Sequence, residues 1–417
     1  MAQNTTNQLI NQTFLSNVTN GTTVISQSQF KAIGELLLFL NIIISIAFAF
    51  GIVKELVDHG YIKFSLPRFG KPSKTKPTTV TIKMNPVVQH SKRVYTRPLV
   101  GIKLDNWDPN IWVNCDLSVY KIEGVVGEGG NGYVLKGSYS GRPVAVKVLK
   151  LYKGKPEEFF KDLAVEASNL VSLSNHKNIV KIYAINVDEF VIGSILSGRT
   201  ELYLERPPMI VMEYMGGGTL KDLLVDDNFF YSSEWKRTVL RAICNVAEAL
   251  DYIHSQGFVH MDVKPQNVFL DRKPHSPSEL DNVTFKLGDL GSAVRINGKV
   301  IQVTPDYSPP EVFTETAKSY FDIFALGMTA YVLLTRKIDR PDLNEMNDAI
   351  DCYLKGNLNC VENKVEKAKM KLMNWDINVD PEIDPLLKSM LSADPIKRPT
   401  AKEVIDAIKK VDPTVCR

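Results

Sequence analysis

The 417-residue chain has few cysteines, only five, and none in a CxxC arrangement. Such spacing argues against both a disulfide framework and a zinc site, and Cys352 and Cys360, the closest pair, read as free thiols in a reducing compartment. The net charge is only +3, and the chain carries no internal repeat. Near-balanced charge provides no electrostatic footprint for nucleic acid, and none is expected as a partner. Residues 1–32 have almost no charge, and the apolar segment that follows starts deep, is long and lacks a basic n-region, so a cleaved signal peptide is not expected. With 44% hydrophobic and 23% charged residues, the remainder is ordinary material for a folded core.

What the amino-terminal part does hold is a sharp change of character. Asn4, Asn11, Asn17 and Asn20 each open an Asn-x-Ser/Thr acceptor, which suggests an extracytoplasmic tail, although Asn- and Thr-rich segments also produce such matches by chance. Residues 33–53 are almost entirely apolar. As a helix they span about 30 Å, enough to cross the hydrocarbon core of a bilayer. From Lys54 to Lys103 there are eleven Lys/Arg against Glu55 and Asp58. The charge bias therefore puts the amino terminus outside and everything after residue 53 in the cytoplasm. Residues 54–116 read as a basic juxtamembrane linker, whose Lys-, Pro- and Thr-rich stretch from Lys71 to Lys83 reads equally as a contact for anionic membrane lipids or as a solvated spacer. The apolar residues from Leu99 to Trp112 are expected to pack on the edge of the domain that follows.

The densest chemistry lies in His260-Met261-Asp262-Val263-Lys264-Pro265-Gln266-Asn267, with Asp289-Leu290-Gly291 22 residues further on. Phosphoryl transfer needs a carboxylate to take a hydroxyl proton, a cation on the transferring phosphate and oxygen ligands for Mg²⁺. Asp262, Lys264, and the pair Asn267 and Asp289 are the right types in the right order. Upstream, Gly127-Glu128-Gly129-Gly130-Asn131-Gly132 is a glycine-rich loop that lets backbone N–H groups approach phosphates. GxGxxG alone also fits a dinucleotide fold, but there it opens a helix. Here Tyr133-Val134-Leu135 continues as strand, Gly141-Arg142-Pro143 turns, and Val144-Ala145-Val146-Lys147 returns, which predicts a hairpin.

Together these motifs resemble the eukaryotic-type serine/threonine protein kinases over roughly residues 118–412. The resemblance implies an α+β, bilobal protein kinase fold at 117–412, with a β-rich N-lobe at 117–213 and an α-rich C-lobe at 216–412, here preceded by one transmembrane helix. It implies ATP and Mg²⁺ as cofactors and protein Ser/Thr hydroxyls as substrates, with autophosphorylation and self-association at the membrane. Asp262 is then the base and Lys264 stabilises the phosphoryl group. Asn267 and Asp289 hold the metal. Lys147, oriented by Glu166, binds the α/β-phosphates. Val134, Ala145 and Phe269 enclose adenine, Met212 screens the back of the pocket, and Glu213 and Met215 offer backbone groups to its edge. Thr304 bridges Asp262 and Lys264, Glu311 pairs with Arg398, and Asp322 braces the catalytic loop. Two departures stand out. Met261 replaces an arginine that would meet an activation-segment phosphate, and Leu290 replaces phenylalanine. Residues Asp188–Pro208 and Asp271–Asn282 are long for the family and are expected to be hairpin or loop extensions. A nucleotide-binding scaffold without turnover and a small-molecule kinase are the rival readings.

Overall fold

The computed structural model describes residues 107–129, 132–151, 170–300 and 302–416. The tail at 1–32, the segment at 33–53, most of the linker, Gly130, Asn131 and Glu166 lie outside the described residues. Among the described residues no helix is long and apolar enough to cross a membrane.

The first half of this body is an antiparallel sheet in the order β1-β2-β3-β4-β6-β5. Its strands are β1 (Asp116–Leu117), β2 (Tyr120–Gly129), β3 (Gly132–Tyr139), β4 (Arg142–Leu149), β5 (Ile182–Asn186) and β6 (Met209–Glu213). The predicted β3–β4 hairpin forms, with Ser140 (φ +49°) and Gly141 (φ +76°) as its two turn residues. Positive φ at both positions gives the turn whose twist matches that of its strands. Alternation buries Leu135, Val144, Val146 and Val148, each worth roughly 1.5–3 kcal/mol relative to exposure.

Packing begins ahead of residue 117. Trp107 and Trp112 are buried in the core, as expected of that apolar stretch. The Asp188–Pro208 expectation needs correcting. The segment forms two helices, α1 (Glu189–Leu196) and α2 (Glu201–Glu205). Asp188 caps the first by accepting from the Phe190 and Val191 N–H groups, and Val191, Ile192 and Ile195 form its buried stripe. Its Val and Ile content reads as strand in isolation, whereas the cap and the stripe make it helical. Asp271–Asn282 is loop ending in a 3-10 helix at Pro277–Asn282.

The second half is helical around α3 (Trp235–Ser255) and α4 (Ser319–Thr335), with α5 (Leu343–Leu354), α6 (Leu358–Met373), α7 (Asp384–Met390) and α8 (Ala401–Val411). Leu240, Ile243, Val246, Leu250 and Ile253, at helical spacing, are buried as one face of α3. Helix α4 is apolar all round and runs through the interior. Gly327 permits this, because a Cβ there would sit 2.9 Å from Met390 Cβ on α7.

The free-thiol expectation is overturned. Cys244 of α3 is bonded to Cys416, and Cys352 to Cys360, with Cα atoms 5.7 Å apart in each pair. The turn between α5 and α6 brings the second pair together, and the chain after α8 returns to α3 for the first. Cys115 remains a free thiol.

Candidate active site

The catalytic loop sits between two short strands, β7 (Phe258–Val259) and β8 (Val268–Leu270), and is held from below by Asp322 in the first turn of α4. The buried Asp322 carboxylate accepts the His260 N–H at 2.7 Å and the Met261 N–H at 2.8 Å, and lies 2.8 Å from His254 Nε2. The brace expected from sequence is present. It holds Met261 at φ +69°, a left-handed conformation costing on the order of 1–3 kcal/mol for such a residue.

His260 is fully buried and accepts the Asp262 N–H at Nδ1 (3.3 Å). A backbone N–H can only donate, so in a neutral ring Nε2 carries the proton and donates it to the Gly288 carbonyl, 3.0 Å away. One imidazole thereby joins the loop bearing Asp262 to the residue before Asp289.

Asp262 is the most heavily bonded carboxylate of the site. Its Oδ1 accepts from Lys264 Nζ and Thr304 Oγ1, both at 2.8 Å. Its Oδ2 accepts from Asn267 Nδ2 at 2.8 Å and lies 3.5 Å from Gln302 Nε2. Asn267 Nδ2 also donates to the Asp262 carbonyl at 2.7 Å. Its amide nitrogen is thus fully used, which leaves Oδ1 as the free end of that side chain among the described residues.

Asp289 has φ +57° and accepts from Lys147 Nζ at 2.6 Å. Burial alone would raise its pKa, but the Lys147 ammonium and its hydrogen bond, helped by the Gly291 N–H, more than offset that and hold the carboxyl below its ordinary value. Sequence reasoning paired Lys147 with Glu166, which lies outside the described residues. The described partner of Lys147 is Asp289.

The register of the sheet arranges the nucleotide side. Val134 on β3 is opposite Lys147 on β4, and Ala145 on β4 is opposite Met212 on β6. Directly paired residues share a face, as do positions two apart, so Val134, Ala145, Lys147 and Met212 all line one side of the sheet. Gly127, Glu128, Gly129 and Gly132 lie at the β2–β3 end of this surface. A Cβ on Gly132 would meet the Val148 carbonyl oxygen at 2.4 Å, so the loop closes only with glycine there. Phe269 lies on β8 in the other half of the body. The Glu213 N–H donates to the Lys181 carbonyl, and its side chain pairs with Lys286 Nζ at 2.8 Å. Met215 follows on the connection out of β6.

Three residues of the site escaped sequence reading. Gln302 stands beside Asp262 and accepts from Ser292 Oγ at 3.0 Å. Arg340 donates to the Pro305 and Ser308 carbonyls, both at 2.8 Å, and forms a buried pair with Asp342. An Arg-Pro-Asp triplet carries no distinctive signal, and only the fold brings it beneath the Thr304–Glu311 segment. The expected Glu311–Arg398 pair forms and is fully buried.

Met261 packs with Val259, Val312, Ala317, Phe321 and Met346, and Val294, Ile296, Val300 and Val303 of the activation segment lie against the same cluster. Ser292, Tyr307 and Ser308 are buried, and the Thr304 hydroxyl is committed to Asp262. The segment is therefore seated by apolar contact where an arginine would require a phosphate. Phosphatase treatment, with the phosphatase then removed, is expected to leave most of the initial rate on an added substrate. A tenfold drop, about 1.4 kcal/mol of barrier, accompanied by loss of phosphate from residues 289–311, would contradict this seating.

The protein kinase domain model matches residues 120–407. The chain is 38% identical over 323 residues to the serine/threonine-protein kinase ArnS of Sulfolobus acidocaldarius, covering 73% of this chain and 52% of that protein. It is 34% identical over 224 residues to CDPK-related kinase 1 of Arabidopsis thaliana, covering 52% of this chain and 35% of that one. It is 30% identical over 234 residues to CBL-interacting serine/threonine-protein kinase 3 of the same plant, covering 55% and 47%. The chain thus spans about half the length, or less, of these relatives. By the extent of the domain match and the site geometry together, it belongs to the protein kinase family.

Proposed function

We propose that the chain is an ATP-dependent serine/threonine protein kinase, transferring the γ-phosphoryl group of ATP to protein hydroxyls. The observation that carries this reading is the convergence of Lys264, Asn267 and Thr304 on the Asp262 carboxylate, with Lys147 on Asp289 nearby. Asp262 accepts the proton of the attacking hydroxyl, and Lys264 offsets charge on the phosphoryl oxygens. Lys147 receives the α/β-phosphates, and the glycine loop covers them. Asn267 Oδ1 and the Asp289 carboxylate form an oxygen-only donor pair, which suits Mg²⁺. When bound, the metal supplies charge neutralisation on the phosphate oxygens.

Thr304 and Lys264 on one carboxylate oxygen favour protein hydroxyl substrates over small molecules. The reading is tested by incubating the full chain with γ-labelled ATP, Mg²⁺, generic protein substrates and small-molecule acceptors. Label on Ser and Thr of protein is expected. Nucleotide binding without transfer would favour the scaffold reading, and label on small acceptors alone would favour the small-molecule one.

The same proposal includes a membrane anchor at 33–53 with the amino terminus outside and the kinase domain in the cytoplasm. It rests on the apolar run and the eleven cations that follow it. Crowding of domains on the membrane then favours self-association and autophosphorylation. External protease on intact cells is expected to spare residues 118–412, and digestion of that region would reverse the orientation.

A further inference from the structure

The glycine-rich loop is tied to the residues that precede the kinase fold. Tyr133, immediately after Gly132, donates its hydroxyl to the Trp107 carbonyl at 3.2 Å. Trp107 enters an aromatic cluster, 5.3 Å from Trp112 and edge-on to Tyr203 at 4.8 Å, centroid to centroid. Trp112 donates Nε1 to the Leu204 carbonyl at 3.1 Å, and Tyr203 donates its hydroxyl to the Leu149 carbonyl at 2.8 Å. Leu149 pairs with Gly132 across β3 and β4. All four rings are buried. On the other side of Tyr133, Lys150 Nζ lies 4.6 Å from the ring centroid and pairs with Glu128 of the loop at 2.7 Å. A continuous set of contacts therefore runs from the Trp107 backbone through Tyr133 and Lys150 to Glu128.

Two features make this more than packing. The α1–α2 segment, long for the family, supplies Tyr203 and Leu204, and so builds the socket for the incoming chain. The contact to Tyr133 is to the backbone of residue 107, so it depends on where the preceding chain is held rather than on which side chain it bears. Tyr133 also faces Glu128 directly in the β2–β3 register. A shift at Trp107 consequently reaches the loop within one residue pair.

We propose that Tyr133 is a positioning residue for the nucleotide-binding loop, latched by the Trp107 carbonyl, so that the segment preceding the kinase fold sets affinity for a nucleoside triphosphate. The inference rests on the reading that Gly127–Gly132 covers the phosphates of ATP. Tyr133→Phe keeps the ring and removes only the hydroxyl. Trp112→Phe keeps an aromatic ring against Trp107 and Tyr133 and removes a hydrogen bond of the same cluster, one made to Leu204 rather than to the loop.

The test uses the full chain and MgATP, with binding measured by titration calorimetry and amide exchange followed at Glu128, Gly129 and Gly132. Tyr133→Phe is expected to weaken ATP by about three- to tenfold, the range of one neutral hydrogen bond. Exchange at the three amides should quicken, also without nucleotide, and kcat should stay within about twofold of wild type. Trp112→Phe is expected to lower the melting temperature while leaving the ATP dissociation constant within about twofold. Unchanged binding and exchange in Tyr133→Phe overturns the latch, as does an equal loss of ATP affinity in Trp112→Phe. Failure of the wild-type chain to bind MgATP would overturn the kinase reading and this inference with it. Failure confined to the variants touches the latch alone.

Discussion

Asp289→Ala is expected to lower phosphotransfer by at least about a thousandfold, corresponding to ~4 kcal/mol of barrier, while the chain stays folded. The carboxylate is one of two oxygen donors assigned to the metal, and it also holds Lys147 at 2.6 Å. Alanine removes both contacts. It also places a residue with poor left-handed propensity at φ +57°, a cost of roughly 1–2 kcal/mol. Asp289→Asn separates these effects, because asparagine tolerates that conformation and keeps the shape while losing the charge. Both variants should fold, and both should lack turnover. Substantial Mg²⁺-dependent activity in either would sink the assignment. The pH dependence has a definite sign. Because its pKa in the folded chain is depressed, the Asp289–Lys147 contribution to stability is fully present above the pKa of an unfolded aspartate, about 3.9. It is lost only as pH falls through the lower folded value. Inactivation on mild acidification between pH 7 and 5 must therefore come from other groups.

The largest loss of stability is expected at Arg398→Met. Arg398 and Glu311 are both fully buried, and the guanidinium also donates to the Ser392 carbonyl at 2.9 Å and lies 4.8 Å from the Phe324 ring centroid. Removing the cation strands a carboxylate inside the protein, which costs about 3–5 kcal/mol. At roughly 2–4 °C per kcal/mol for a large domain, the melting temperature should fall by about 6–20 °C. Met at both positions removes both charges and should recover part of that loss. A single variant that melts within a degree or two of wild type would show that Glu311 finds another partner or takes up a proton.

The parts of the site legible in sequence were those whose residues are neighbours along the chain. Asp262, Lys264 and Asn267 lie within six positions, so the loop that brings them together is local and its chemistry can be read from residue types. Lys147 and the glycine loop lie on three consecutive strands, β2 to β4, and their face follows from strand alternation. Arg340 could not be found this way, because the carbonyls it binds are more than thirty residues upstream. Gln302 was hidden for a different reason. Its amide is chemically unremarkable until the fold sets it beside Asp262. The helices at 189–205 were misread because Val and Ile favour strands locally, while burial of the Val191, Ile192 and Ile195 stripe decides otherwise. Cys352 and Cys360 were read as thiols because a reducing compartment was expected, and the Cys244–Cys416 pairing was missed because spacing speaks only to neighbours and the two are 172 residues apart.

That last bond changes the connectivity of the molecule. With Cys244 joined to Cys416, the backbone from 244 to 416 becomes a closed ring, and Asp262, Lys264, Asn267, Asp289, Thr304 and Arg398 all lie on it. The strands that carry Lys147 and the glycine loop hang from this ring as a single open arm. One backbone cut in 245–415 releases no fragment, and between 352 and 360 the second disulfide even keeps the ring closed, so the half of the site that handles the hydroxyl stays covalently whole. A cut in the arm between Lys147 and Cys244 breaks the covalent link between the nucleotide half and the hydroxyl half at once. In the oxidised chain the two halves of the catalytic machinery thus differ in topology as well as in secondary structure.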